Sequence, residues 1–168
     1  MTSKNKTSPV AVVMGSDSDL PVMQICIDQL KDFGIDPSVR IISAHRTPDI
    51  AAHFANNAIE NGIKVIIAAA GMAAHLAGAL AAKTTLPVIG VPLAASQSPA
   101  GLDALLSTVQ MPPGVPVATM AIGKAGAKNA AIFALQIMAL SDQAIAGKLA
   151  DLRKAQSQKV IQKDTSLG

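Results

Sequence analysis

Val10-Ala11-Val12-Val13-Met14-Gly15-Ser16-Asp17-Ser18-Asp19 is the stretch that decides the fold. Its first five residues form a short, mostly β-branched run with no polar alternation, as expected of a strand buried on both faces. The Gly/Ser/Asp segment reads as the turn that ends it. Leu20 to Phe33 then places Val22, Met23, Ile27 and Leu30 at helical spacing, and Gly34 stands where a C′ glycine stops a helix. The same unit recurs downstream. Ser38 to Ile42 reads as a strand, Ser43 to Arg46 as a loop, and Thr47-Pro48 as an N-cap and first-turn proline for a helix reaching about Asn61 and Gly62. Lys64 to Ala69 is a third strand, followed by a turn at Ala70-Gly71 and a helix from Met72 to Thr84. Val88 to Val91, opened by Pro87, is a fourth, with a loop from Pro92 to Gly101 and a helix from Leu102 to Val109. A fifth strand is expected near Val117 to Ile122. Strands alternating with helices predict a parallel sheet covered on both faces.

After Gly126 the chain reads as helical, with a break near Ser141-Asp142 and a second helix to about Lys163 carrying Ile145, Leu149 and Leu152 on one stripe. That stripe folds back on its own domain or docks on another subunit. The second is favoured, because the alternation already accounts for both faces of the sheet. Residues 1–8 are expected to be a flexible tail, 9–163 a single domain including the C-terminal helix, and 164–168 a second tail. At 168 residues one hydrophobic core is the expected arrangement.

Composition narrows the function. Half of the chain is hydrophobic, much of it alanine, and Phe33, Phe54 and Phe133 are the only aromatic residues. With few platforms for stacking bases and a net charge of +3 spread thinly, nucleic acid is not the expected partner. The single cysteine, Cys26, falls on an apolar helix face and is expected to be a buried thiol. A polar N-terminus and the lack of a bilayer-length apolar run point to a soluble, cytoplasmic protein without a membrane partner.

In a doubly wound sheet, ligands bind beyond the carboxyl ends of the strands where the strand order reverses. In the order 2-1-3-4-5, the loops Ser43 to Arg46, Gly15 to Asp19 and Ala70 to His75 lie side by side. Each opens a helix whose first amides favour an anion, and Arg46 adds a planar, permanently charged donor set, so a phosphate anchor is expected. His45, at a strand's carboxyl end, has the side chain best suited to taking and giving protons near neutrality. His75 enters the same crevice or caps the third loop, while His53 lies mid-helix and reads as a surface or packing residue. Asp17 and Asp19 cap the first helix or accept hydrogen bonds from sugar hydroxyls. Gly123-Lys124 lacks the remainder of a phosphate loop, and the dinucleotide fingerprint is missing after the first strand. No histidine and cysteine cluster suggests a metal site. Acid/base chemistry with neither cofactor nor metal is the expectation.

These residues resemble the class I N5-carboxyaminoimidazole ribonucleotide mutase family, also called PurE, from about Val10 to Lys163. The landmarks are Gly15-Ser16-Asp17-Ser18-Asp19, Ser43-Ala44-His45-Arg46-Thr47-Pro48, Ala73-Ala74-His75-Leu76, Val109-Gln110-Met111-Pro112 and Ile122-Gly123-Lys124-Ala125-Gly126. The resemblance implies a three-layer α/β/α, flavodoxin-like fold with a C-terminal helical extension, and a homo-octamer. It implies an isomerase of purine biosynthesis that moves a carboxyl group from the exocyclic nitrogen to C4 of a phosphorylated aminoimidazole ribonucleotide. It also implies transient contact with the synthetase that makes this substrate. By position, His45 matches the acid/base residue, Ser43 and Arg46 the phosphate contacts, and Ser16, Asp17 and Asp19 the nucleotide-binding first loop. Gly71, Met72 and His75 match the loop around the base and the migrating carboxyl group. The family often has glycine at Met72 and proline at Ala77.

Two rivals stand beside this reading. Direct carboxylation of aminoimidazole ribonucleotide by carbon dioxide belongs to class II enzymes, whereas Arg46 after His45 and the second histidine, His75, follow the class I pattern. A non-catalytic phosphate- or nucleotide-binding module would use the helix starts and leave His45 idle.

Overall fold

In the computed structural model, which describes residues 8–95 and 99–167, Val10–Met14 forms β1 with all five side chains buried. A single 3-10 turn at Asp17–Asp19 leads into α1 (Leu20–Asp32), which buries Met23, Cys26, Ile27 and Leu30. Gly34, at φ 85°, ends it as its position predicts. The chain continues through β2 (Ser38–Ile41), α2 (Pro48–Asn56), β3 (Val65–Gly71), α3 (Leu76–Ala81), β4 (Val88–Leu93), α4 (Leu102–Val109) and β5 (Ala118–Thr119). Two helices follow, α5 (Gly123–Ala139) and α6 (Gln143–Thr165).

The five strands pair in the order β2-β1-β3-β4-β5, every pair parallel, which is the expected flavodoxin-like arrangement. Met14 stands opposite both Ile41 and Ala69, so β1 and β2 reach their carboxyl ends at the same level and β3 runs two residues further, to Gly71. Because parallel crossovers are right-handed, the step from β1 to β2 and the later steps back across the sheet must place their helices on opposite faces. That sets α1 on one side and α2, α3 and α4 on the other. The second face is filled by Ala11, Val13, Ile66 and Ala68 of the sheet against Ala51 and Ala55 of α2 and Leu76, Ala77 and Leu80 of α3. On the first face Val10, Val12, Met14, Ile67 and Ile89 are equally buried. Small side chains let α4 come close. A Cβ at Gly90 of β4 would collide with Thr108 Cγ2 and lie 2.9 Å from Val117 Cγ1.

Several boundaries differ from the sequence reading. The second helix stops at Asn56, where Asn57 Nδ2 donates to His53 O at 2.7 Å and turns occupy the residues up to Gly62. The third begins at Leu76 instead of Met72, because Met72 adopts φ 55° and the His75 amide folds back on Ala73 O. β3 therefore runs on to Gly71, and β4 to Leu93. β5 is only two residues long, with one further ladder bond from Met120 N to Gly90 O. The fifth helix starts at Gly123 and so takes in Gly126, after which it was expected to begin.

Contacts divide the chain into two compact units, one up to Ala134 that holds the sheet and one from Leu135. In the second, Asp142 breaks the helical run as expected and caps α6, its Oδ1 accepting from the Ala144 and Ile145 amides at 3.0 and 3.2 Å. Ile145 is buried, Leu149 and Leu152 are half-buried, and Val160 and Ile161 are exposed. α6 extends to Thr165, so residues expected in the second tail are partly helical. The expected first tail lies outside the described residues except for Ser8, as do residues 96–98 of the loop after β4. Among the described residues no helix is long and apolar enough to cross a membrane.

Candidate active site

The adjacent carboxyl ends of β1, β2 and β3 open into a crevice of about 480 Å³ lined by the three loops that follow them. Ser16, Asp19, Ser43, His45, Arg46, Gly71, Met72 and His75 line it. Of the expected site residues, Asp17 is the one outside the wall. Ala95, just after β4, also lines the crevice, and no feature of the sequence singled it out.

The first loop is held by its own side chains. The Ser16 amide donates to Asp19 Oδ2 at 3.0 Å while Ser16 Oγ accepts from the Ser18 amide at 3.3 Å, a reciprocal capping box. Asp17 Oδ1 accepts from Ser16 Oγ and from the Ser18 amide, which keeps it on the solvent side of the loop. Half-burial is the largest influence on Asp19 and pushes its carboxyl above its ordinary range. The Ser16 and Gly15 amides pull it down, Asp17 pushes it up and Arg46 pulls it down.

The second loop is fastened by Thr47, which does not cap α2 as its position suggested. Its hydroxyl donates to Ser43 O at 2.9 Å and accepts from the Ser43 amide at 3.0 Å, pinning the loop's two ends together. Ser43 Oγ accepts from both the amide and Nε of Arg46, at 3.2 and 3.3 Å, so its own O–H can be directed at a ligand. Arg46 Nη2 donates to Gly15 O at 3.0 Å, binding the second loop to the first. The guanidinium has five N–H donors and these contacts use two, leaving a flat, charged edge for an anion. The amides of Ser16, Ser18, Asp19, Arg46 and Thr47 are engaged within their loops. In these two loops the side chains of Arg46 and Ser43 stand as donors beside the loop amides that are not so engaged.

His45 and His75 meet across the crevice, His45 Nε2 lying 2.9 Å from His75 Nδ1, with the rings edge to face at 5.0 Å between centroids. Both are exposed to the crevice. One ring must donate an N–H and the other accept, so each fixes the tautomer of its neighbour. Gly71 sits where a Cβ would lie 3.1 Å from Leu93 O, which explains a glycine at that strand end. Cys26 takes no part: it is fully buried in α1, and burial pushes its thiol up to about 12. His53 is exposed on α2, away from the crevice wall.

Fold and crevice together define a doubly wound α/β protein whose crevice lies at the reversal of strand order, where such folds bind their ligands. The family model for AIR carboxylase matches residues 9–159, and the chain belongs to that family. It is 51% identical over 162 residues to the N5-carboxyaminoimidazole ribonucleotide mutase of Escherichia coli (strain K12), covering 96% of this chain and 95% of that protein. The protein of the same name from Bacillus subtilis (strain 168) is 51% identical over 158 residues, 94% of this chain and 97% of its own. Among solved structures, Treponema denticola PurE superposes with a TM-score of 0.84 at 31% identity, covering 94% of this chain and 97% of that one.

Proposed function

We propose that this chain interconverts N5-carboxyaminoimidazole ribonucleotide and 4-carboxy-5-aminoimidazole ribonucleotide in purine biosynthesis, with His45 as acid and base. The observation that carries the reading is the His45–His75 contact of 2.9 Å in a crevice whose wall also includes Arg46 and Ser43. Arg46 and Ser43 take the ribonucleotide's phosphate, and Ser16, Asp17 and Asp19 hold the first loop against the sugar. His45 protonates the exocyclic nitrogen as the N–C bond of the carbamate breaks, releasing carbon dioxide inside the pocket. The ring, enriched by the amine, forms a bond from C4 to that carbon dioxide, and loss of the C4 proton to His45 restores aromaticity. The proton account closes on a single residue, and His75 holds its ring in register. Keeping two fragments together is the main demand on the protein, and positioning of this kind can contribute several kcal/mol.

The test is isotopic. Substrate labelled in the carbamate carbon, supplied without ATP in excess unlabelled bicarbonate, is expected to deliver most of its label to the C4 carboxyl group. Full dilution of the label in a single turnover, or preferential use of aminoimidazole ribonucleotide with carbon dioxide, would replace this reading with direct carboxylation. A homo-oligomer, in the family's octameric form, is also proposed. It is supported by exposed apolar residues Leu102, Leu106 and Val109, spaced four and three apart on α4. A monomer by sedimentation at micromolar concentration would contradict it.

A further inference from the structure

Thr47 stands immediately before α2, where a threonine hydroxyl ordinarily accepts a hydrogen bond from one of the helix's first amides, yet it makes no such bond. The hydroxyl instead grips both backbone polar groups of Ser43, donating to its carbonyl oxygen at 2.9 Å and accepting from its amide at 3.0 Å. The Thr47 amide adds a third bond to Ser43 O, also at 2.9 Å. A helix start left without its side-chain cap, in favour of a loop, is the kind of departure from local rules expected beside a functional site. What the loop carries is His45. Ala44 ahead of it packs against the core, and Arg46 behind it is fastened separately, through Nη2 to Gly15 O and through Nε to Ser43 Oγ. His45 itself is exposed, and among the described residues its ring makes no hydrogen bond within its own loop, only the contact across to His75. The place of that ring therefore depends on the loop backbone, and the backbone depends on the clasp.

We infer that Thr47 is a positioning residue for the proton transfers, its hydroxyl holding closed the loop that carries His45 and so fixing the reach of the imidazole. This inference rests on the proposed function and adds to it a half-buried residue that does not line the crevice. Proton transfer needs donor and acceptor within about 2.6–3.2 Å, so a small shift of the loop is felt at the ring. Without the hydroxyl the part-buried Ser43 amide loses its acceptor, and the loop shifts to satisfy it. Arg46, tied to the first loop at Gly15 O, follows that shift less than His45 does.

The experiment compares Thr47→Val, which keeps the β-branched shape and removes the hydroxyl, with Thr47→Ser and the unaltered full chain. Turnover of the carbamate is measured well below the melting temperature of all three, together with the ring nitrogen NMR resonances of His45 and His75. Thr47→Val is expected to lower kcat by about 10- to 100-fold with KM changed by less than about threefold, and Thr47→Ser to keep kcat within about threefold. The two histidine resonances should move in Thr47→Val and stay in place in Thr47→Ser. A residue serving the fold alone would lower the melting temperature without moving kcat of the folded protein, so an unchanged kcat in Thr47→Val overturns the inference. An equal loss in Thr47→Ser overturns it too, as does a loss confined to KM, which would assign the clasp to the phosphate contacts. Should Thr47→Val fail to fold, Thr47→Ala is compared with Thr47→Ser in its place, since that pair also differs in the hydroxyl. If the unaltered chain does not convert the carbamate at all, the proposed function itself fails, and the histidine resonances still report whether the clasp holds His45 against His75.

Discussion

His45 Nε2 and His75 Nδ1 lie 2.9 Å apart, close enough that the two rings share one hydrogen between facing nitrogens. The pair therefore acts as a unit. His45→Gln places an amide where Nε2 stood and keeps the contact with His75, but it cannot exchange a proton. Turnover should fall by about 10²- to 10⁴-fold with nucleotide binding retained. His75→Asn, which keeps a polar atom near Nδ1, should lose much less than His75→Leu, which leaves His45 without a partner. Equal losses in the two His75 variants would show that the contact does not orient His45.

Arg46→Ala should weaken binding of the phosphorylated ribonucleotide by about 1.5–3 kcal/mol, the range for hydrogen bonds to charged groups. The dephosphorylated nucleoside, which offers no anion, should be affected far less. Arg46→Lys should rescue little, since an ammonium cannot reach Ser43 Oγ and Gly15 O as a fork while facing a phosphate. Titration calorimetry with both ligands checks this, and equal weakening of the two would make Arg46 a loop fastener only.

The strand order and the convergence of three loops were legible because β-branched runs, turn residues and helix stops punctuate the chain at each change of direction. Helix ends were less legible. Met72 to Thr84 is apolar and rich in alanine throughout, so its pattern does not distinguish a helix from the left-handed turn at Met72 that delays α3 to Leu76. Thr47 before Pro48 has the signature of an N-cap, yet its hydroxyl is spent on Ser43, a contact between loop ends that local rules do not weigh. The engagement of the loop amides by Asp19, Ser16 and Ser43 was hidden for the same reason. His45 and Arg46 stood out because a strand's carboxyl end exposes whatever follows it. The meeting of His45 with His75 needed the register of β1, β2 and β3, which no local pattern supplies.

The closeness of α4 to β4 at Gly90 makes a stability prediction. Thr108 Oγ1 donates to Ala104 O at 2.7 Å, which fixes the rotamer that aims Cγ2 at Gly90. Gly90→Ala should cost about 1–3 kcal/mol by overpacking. Thr108→Ser, which removes that methyl and keeps the hydroxyl, should recover part of the loss in the double variant. The recovery is read as a coupling in denaturant unfolding. Additive effects would mean that Val117, not Thr108, sets the limit.

Asp19 carries the pH prediction. Burial raises its folded-state pKa above the unfolded value, so its ionised form is held less well in the folded chain than in the unfolded one. Above the folded pKa this opposes folding. As pH falls through the folded pKa towards the ordinary carboxylate value, the folded state takes up its proton first and the penalty disappears. Asp19→Asn removes the titration and still lets Oδ1 accept from the Ser16 amide, preserving that half of the capping box. The stability of the unaltered chain relative to Asp19→Asn should therefore rise between about pH 7 and about pH 4, most of the change falling just above the ordinary carboxylate range. Urea unfolding of both chains across that interval measures it. A relative stability that falls with acid would have the opposite meaning: the Ser16 and Gly15 amides together with Arg46 would outweigh burial, and Asp19 would be a charge the loop prefers to keep.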